Sequence, residues 1–143
     1  MSVDRAFVDT NLFIYLYSES ELDKKKTVEQ VLSQYDRFIS TQVINEFCNV
    51  AIRKLNLPLF NVRNAVKEIC GACSMILVDS DTIESALDLH EKYGYAYYDS
   101  LIITSALESD CKYLLTEDMA DGQIVDKSLT IRNIFREDID KSH

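Results

Sequence analysis

Turn-formers are scarce in this sequence. One proline and three glycines in 143 residues leave little material for a linker, a low-complexity segment or a repeat array. No stretch reaches the roughly 20 apolar residues of a membrane span, so no membrane association is expected. The start, Met1-Ser2-Val3-Asp4-Arg5, runs straight into an apolar segment, without the basic stretch, hydrophobic run and cleavage site of a secretory signal, which points to the cytoplasm. Basic side chains are also few: fifteen stand against twenty-four acidic ones, a net charge of −9. That balance is unfavourable for broad electrostatic binding of a polyanion. A polyanionic substrate would need divalent cations, a small basic patch or a basic partner protein, and an acid-rich site suits the cations best.

Four cysteines are present, Cys48, Cys70, Cys73 and Cys111. Their irregular spacing inside apolar segments reads as free thiols in a reduced compartment rather than a disulfide framework. Cys70-Gly-Ala-Cys73 matches a C-x-x-C pattern, but with no second pair and no nearby histidine it is a poor zinc or redox signal. The 47% apolar content supports a globular core, and the length suits one domain spanning residues 1–143, able to bury roughly two thirds of its extended-chain surface.

Along the chain, Ala6-Phe7-Val8 is a short apolar strand ending abruptly in Asp9-Thr10-Asn11, after which a short helix led by Leu12 begins. Glu21 to Tyr35 carries Leu22, Val28, Val31, Leu32 and Tyr35 at helical spacing among charges, an amphipathic helix. Arg37 to Ser40 is a strand, and Ser40-Thr41 offers an N-cap for a helix over Gln42 to Leu55. Pro58 opens the next helix, which Gly71 would end. Ser74 to Val78 is a strand, Asp81-Thr82-Ile83-Glu84 reads as a capping box opening a helix to Tyr93, and Gly94 stops it. A helix through Leu101 to Glu108, a strand over Lys112 to Thr116, a polar loop from Glu117 to Gly122 and a last strand at Leu129 to Ile131 follow. The charged segment from Arg136 to His143 reads as a frayed end. Short apolar strands separated by helices predict an α/β fold, a three-layer α/β/α sandwich on a mainly parallel sheet. Sites in such folds form beyond the carboxyl ends of the strands, where Asp9 and Glu117-Asp118 both fall.

Several acids stand in unusual company. Glu46 has Val43 and Val50 as its i−3 and i+4 neighbours, so its carboxylate lies on or beside the core-facing stripe. An unpaired buried carboxylate costs several kcal/mol; metal binding, a partner such as Arg53 or Lys54, or a rim position would each account for it. Asp99 precedes Ile102, Ile103 and Ala106 on one helical face, and capping of that helix is the alternative to a site role. Asp118 and Asp121 sit in a loop where acids also serve as turn formers. Four acids at these places along an α/β chain would repel one another on meeting unless a cation neutralised them. Oxygen-only ligands select hard ions, Mg²⁺ or Mn²⁺ over Zn²⁺, and such ions suit phosphodiester hydrolysis.

The ordered set Phe7-Val8-Asp9-Thr10-Asn11, Asn45-Glu46-Phe47, Tyr98-Asp99-Ser100-Leu101-Ile102 and Leu114-Leu115-Thr116-Glu117-Asp118-Met119 resembles the PIN-domain family, the metal-dependent ribonucleases that include the VapC-type toxins of toxin–antitoxin systems. The resemblance implies that Asp9, Glu46, Asp99 and Asp118 are catalytic acids holding Mg²⁺ or Mn²⁺, with Asp121 a further contributor to the metal site. It implies that Thr10, Asn11 and Thr116 shape the site by hydrogen bonding. It also implies an RNA substrate cut by a Mg²⁺-activated water to a 5′-phosphate and a 3′-hydroxyl, an antitoxin protein as partner, and a homodimer. Gly122 stands where an aromatic is frequent in the family, which leaves open whether Asp118 or Asp121 is the closer ligand.

Substrate contacts are less legible. Tyr93, Tyr95, Tyr97 and Tyr98 either stack bases or pack around a helix start, and Lys24-Lys25-Lys26 and Arg53-Lys54 are either phosphate contacts or solvated faces. No role is expected for His90 or His143. Two other functions compete: a catalytically silent PIN-like module that binds RNA or protein, and an aspartyl phosphatase. The phosphatase needs a second aspartate two residues after the first, where this chain has Asn11; a phospho-accepting receiver domain would need an acidic pair and a late lysine that are not evident.

Overall fold

The structure, a computed structural model, describes residues 3–136. The expected frayed end beyond Arg136, including His143, lies outside them. Twelve elements alternate along the chain. Strand β1 (Arg5–Val8) leads to helices α1 (Thr10–Tyr17) and α2 (Leu22–Leu32), then strand β2 (Asp36–Ser40). Helices α3 (Thr41–Arg53) and α4 (Leu59–Ala72) follow, with strand β3 (Ser74–Ile76), helices α5 (Ser80–Tyr93) and α6 (Tyr97–Glu108), and strands β4 (Tyr113–Thr116), β5 (Ile124–Val125) and β6 (Leu129–Asn133).

The six strands form one sheet in the order β3-β2-β1-β4-β6-β5, parallel except for β5, which runs antiparallel to β6. Ala6, Phe7 and Val8 of β1 and Leu114 and Leu115 of β4 are fully buried, as strands covered on both faces must be; this is why they read as continuous apolar runs rather than alternating ones. Phe7 lies between Phe38 of β2 and Leu114 of β4. Helices cover the sheet to complete the α/β/α sandwich: α6 packs on β1, β2 and β4, α5 packs on α6, and α1 packs on α2 and α3. No helix among the described residues is long and apolar enough to cross a membrane.

Local departures from expectation have local causes. Helix α5 is capped by Asp79, whose Oδ1 accepts from the Thr82 N–H at 2.9 Å, so the helix starts one residue before the Asp81 of the expected capping box, at Ser80. Gly71 is inside α4, which runs on to Ala72. Strand β3 stops at Ile76, and Leu77, 71% exposed, is outside it. Strand β5 was not foreseen: two residues at a sheet edge, with Ile124 exposed, carry no readable period. Gly94 does end α5, in the left-handed conformation at φ 78° that glycine alone adopts without penalty.

Order and direction fix the place of the site. Strand β1 is central, and the chain passes to β2 and β3 on one side and to β4, β6 and β5 on the other. The crevice of such a sheet lies past the carboxyl ends of the strands where the order switches direction. Here those ends are Val8 and Thr116.

Candidate active site

Asp9 follows β1 directly and is the N-cap of α1. Its N–H donates to the Leu115 carbonyl at 3.0 Å, which extends the pairing of β1 with β4 by one residue and sets the carboxylate beside Thr116. Asp9 Oδ1 accepts from the Thr10 N–H at 2.7 Å, and Oδ2 accepts from the Thr116 hydroxyl at 2.9 Å. The residue is 8% exposed. Burial lifts its pKa from 3.8 to about 6, against the lowering effect of the Thr116 and Thr10 hydrogen bonds, and the charges of Asp118 and Glu46 raise it further.

Glu46 is on α3, a helix started by Ser40, whose hydroxyl accepts from the Val43 N–H at 3.4 Å. Glu46 Oε1 accepts from the Thr10 hydroxyl at 2.7 Å, so Thr10 joins the first strand's carboxylate to the third helix's. Val43 is fully buried but Val50 only half-buried, which puts Glu46 at the edge of the core. Among the described residues it makes no ion pair, with Arg53, Lys54 or any other cation, so no basic partner accounts for its place. Asp99 sits in the first turn of α6, whose N-cap is Ala96, so it does not cap the helix. Its pKa is raised, chiefly by burial and then by Asp118 and Glu46.

Asp118 lies two residues past the end of β4, exposed, with Oδ1 at 3.3 Å from the Thr116 hydroxyl. Thr116 is fully buried and has one proton for two carboxylates. Asp9, Thr10, Asn11, Glu46, Asp99 and Asp118 all line one cavity of about 320 Å³. Asp121 does not. Its Oδ1 accepts from the backbone N–H of Asn133 in β6 at 2.8 Å, which makes it a tie between loop and sheet rather than a wall of the cavity.

Among the described residues, no lysine, arginine or histidine lines this cavity. Four carboxylates therefore face one space with no side-chain cation to balance them, and the donors are all oxygen. That chemistry fits a hard divalent ion. Among the described residues no three acid, histidine or cysteine side chains are drawn together into a closed ligand cluster. The acids surround the cavity instead of meeting at a point, an arrangement suited to an ion such as Mg²⁺, which is held through one or two carboxylates and keeps several waters.

Sequence reasoning missed two groups here. Gln42 of α3, 9% exposed, lines the cavity and donates from Nε2 to the Tyr98 carbonyl at 3.2 Å. Beside the loop, Tyr15 of α1 donates to the Glu117 carboxylate at 2.6 Å, and Lys24 of α2 pairs with Glu117 at 3.0 Å. The Glu117 backbone carbonyl also accepts from the Asn133 side-chain amide. Lys24 is thus an anchor for the residue next to Asp118. Gln42 had no sequence signal, since a neutral amide on a helix is ordinary; Lys24, read with Lys25 and Lys26 as a phosphate contact or a solvated face, pairs with Glu117, 93 residues away. His90, on α5, pairs with the Tyr95 carbonyl, and the four cysteines are free thiols.

The family model described as PIN domain matches residues 6–120. A comparison of the sequence with curated proteins yields no match. Solved structures with the same fold include a toxin–antitoxin complex from Klebsiella pneumoniae, 18% identical with TM-score 0.68, covering 90% of this chain and 97% of that one. They also include VapC20 of Mycobacterium tuberculosis, described as a sarcin–ricin loop cleaving toxin, 17% identical with TM-score 0.62 over 76% of this chain and 86% of that one. VapBC2 from Rickettsia felis, bound to a DNA fragment from its promoter, is 15% identical with TM-score 0.63 over 90% and 99%. At these identities the likeness concerns the fold.

Proposed function

The chain belongs to the PIN-domain family, and from that premise we propose that it is a Mg²⁺- or Mn²⁺-dependent endoribonuclease acting as a VapC-like toxin in the cytoplasm. The observation that carries the reading is the cavity at the ends of β1 and β4, which Asp9, Glu46, Asp99 and Asp118 line with no side-chain cation among the described residues. Asp9 and Asp99 would hold the ion, with Glu46 and Asp118 completing the set. Such an ion, when bound, supplies Lewis-acid activation of water and neutralises charge on the phosphate and the leaving oxygen.

The protein's own part is placement. Asp9 is fixed from two sides, by the Thr10 N–H and the Thr116 hydroxyl, so its carboxylate meets a cation without first losing rotamer freedom. Thr10 holds Glu46 in the same way. Asp9, whose pKa burial raises, would give up its proton on holding a cation, since a nearby positive charge favours the carboxylate. RNA, itself an anion, then meets a site whose excess negative charge has been offset, which is how a chain of net charge −9 accommodates that substrate.

A protein partner is supported by a separate surface. Leu59 and Phe60 at the start of α4 are 58% and 71% exposed, and Ile52 near the end of α3 is 46% exposed. Apolar groups of this size left in solvent mark a surface that another protein covers, either the antitoxin or a second copy of the chain.

The test is cleavage of RNA by purified protein. Activity should require Mg²⁺ or Mn²⁺, vanish in EDTA, and be abolished by Asp9→Asn and Asp99→Asn in protein that remains folded by circular dichroism. Undiminished cleavage by both folded variants would overturn the site assignment. The toxin role is tested apart from this. Induced expression should arrest growth, and co-expression of a small adjacent open reading frame should relieve it; an active enzyme harmless to the cell would count against that role.

A further inference from the structure

Beyond the acid cavity the site continues into a second space of quite different chemistry. A trough of about 480 Å³ runs along α3 from Glu46 to the segment after β3, and its walls are Thr41, Gln42, Asn45, Asn49, Val78 and Tyr98, besides Glu46 itself. Gln42, Glu46, Asn49 and Tyr98 also line the acid cavity, so the two spaces are contiguous. Besides the Glu46 carboxylate that it shares with the cavity, the trough presents neutral amides and one aromatic ring. Among the described residues no arginine or lysine lines either space, so the trough is poorly suited to gripping phosphate.

Its aromatic wall is already in position. Tyr98 is 65% exposed although it belongs to the first turn of α6. Its ring is braced edge-on by Tyr97, with centroids 5.4 Å apart and planes at 61°. Its carbonyl accepts from Gln42 Nε2 at 3.2 Å. Exposed aromatic area costs free energy in the absence of a partner, and this ring, packed edge-on by Tyr97 while Gln42 holds its backbone, stands beside the proposed catalytic acids instead of being folded into the core. The same amide that anchors it is incompletely satisfied: Gln42 Oε1 is buried without any hydrogen-bond donor. Turning the amide over would set Oε1 against the Tyr98 carbonyl and the Glu46 carboxylate, at 3.2 and 3.5 Å from the present Nε2, so the orientation is fixed and the acceptor stays orphaned in the wall between the two spaces. On the floor of the trough Asn45 and Asn49, one helical turn apart on α3 and both exposed, point the same way. Neither side chain has a hydrogen bond among the described residues.

We propose that this trough is a nucleobase subsite, which takes one unpaired adenine next to the scissile phosphate, stacked on Tyr98 and read by the carboxamides of Asn45 and Asn49. It rests on the ribonuclease reading of the adjacent acids. Stacking on an exposed aromatic is how proteins hold splayed-out bases of single-stranded RNA. Asparagine and glutamine present the paired donor and acceptor that match adenine N6 and N7, whereas guanine is read chiefly by arginine or lysine, which the trough lacks. The subsite would thus supply a preference for an unpaired adenine in a loop or single strand, while duplex RNA, whose bases are stacked on one another, would not enter.

The experiment measures binding without catalysis. Fluorescein-labelled hexaribonucleotides of adenine, of uridine and of adenine with one central abasic position are titrated with the full chain in Ca²⁺ in place of Mg²⁺, a hard ion that oxygen ligands hold, and followed by anisotropy, with a gel after each titration to verify that the oligomer is intact. The adenine oligomer should bind tightest. Tyr98→Ala should weaken it by about 5- to 150-fold, the range expected for loss of one stacked base, while Tyr98→Phe, which keeps the ring, stays near wild type. Asn45→Ala with Asn49→Ala should erase the preference for adenine over uridine. Equal affinity for adenine, uridine and abasic oligomers, or unchanged affinity in Tyr98→Ala, overturns the subsite. Cleavage in Mg²⁺ separates the two proposals: a wild-type protein that cuts RNA with no dependence on Tyr98 or on adenine sinks the subsite alone, and one that neither binds nor cuts any RNA sinks both.

Discussion

Replacing Asp9 by asparagine should make the metal-free protein more stable at neutral pH, although it destroys the proposed active site. The folded chain holds the Asp9 proton up to about pH 6, against an ordinary value of 3.8. Below pH 3.8 both folded and unfolded states carry the proton and Asp9 is neutral with respect to stability. Between 3.8 and about 6 the unfolded chain has released it and the folded chain has not, so stability falls as pH rises, by about 1.4 kcal/mol per pH unit. Above that window the folded protein carries a buried charge whose cost is about 3 kcal/mol. Asparagine removes that cost and keeps most of the contacts. Its Oδ1 still accepts from the Thr10 N–H, and its amide donates to the Thr116 oxygen, whose own proton is then given to Asp118, 3.3 Å away. Urea unfolding in EDTA should show the variant more stable than wild type by up to about 3 kcal/mol at pH 7.5 and the advantage gone at pH 3.5. Saturating Mg²⁺ should reverse the order at pH 7.5, since an ion bound only by folded wild type at about a thousand times its Kd adds about 4.1 kcal/mol. A variant less stable than wild type in EDTA at pH 7.5 would refute the argument that Asp9 is a strained, cation-seeking charge.

Thr116→Val keeps the side-chain shape but removes the donor to Asp9; with its charged form less well bonded, the Asp9 pKa rises further, and urea unfolding in EDTA at pH 7.5 should show a loss of about 1–3 kcal/mol that shrinks at pH 3.5. Asp121→Ala deletes the acceptor of the Asn133 N–H and should cost about 1 kcal/mol, with RNA cleavage reduced only through the loosened place of Asp118 and therefore far less than by Asp118→Ala. With four free thiols, the melting temperature should be the same with and without dithiothreitol. Labelling by a thiol reagent should be slowest at Cys111, which is buried and whose thiol burial pushes up to about 12.

What could be read from the sequence was whatever violates a pattern locally. Ala6-Phe7-Val8 and Leu114-Leu115 announce central parallel strands because both their faces are buried, which leaves no alternation to confuse with a helix. The acids stood out for the opposite reason, as charges in apolar company. Strand β5 left no such trace, since two residues exposed on one side resemble any loop. The start of α5 was misplaced because Asp79 and Asp81 are equally good caps by composition, and only the extended backbone of Asp79, at φ −113° and ψ −174°, decides between them. Gln42, Tyr15 and Lys24 act through partners brought close by the tertiary fold, and nothing in a linear pattern specifies such a pair.

The loop after β4 shows how a single backbone choice sorts two equivalent acids. Asp118 and Asp121 could not be told apart by type, and Gly122 stood where the family's motif has an aromatic. In the structure Gly122 adopts φ 85°, a conformation that side-chain-bearing residues resist. There its N–H donates to the Ile131 carbonyl at 2.7 Å, so the chain has turned back onto β6 by that residue. Asp121, immediately before the turn, is carried away from the cavity and reaches the Asn133 N–H instead. Asp118, in the bend that directly follows β4, stays within reach of the Thr116 hydroxyl and so of Asp9. A residue with a Cβ at position 122 would strain this turn by about 1 kcal/mol, loosening the tie to β6 and with it the fixed place of Asp118. The glycine that departs from the motif therefore belongs to the device that aims Asp118 into the cavity.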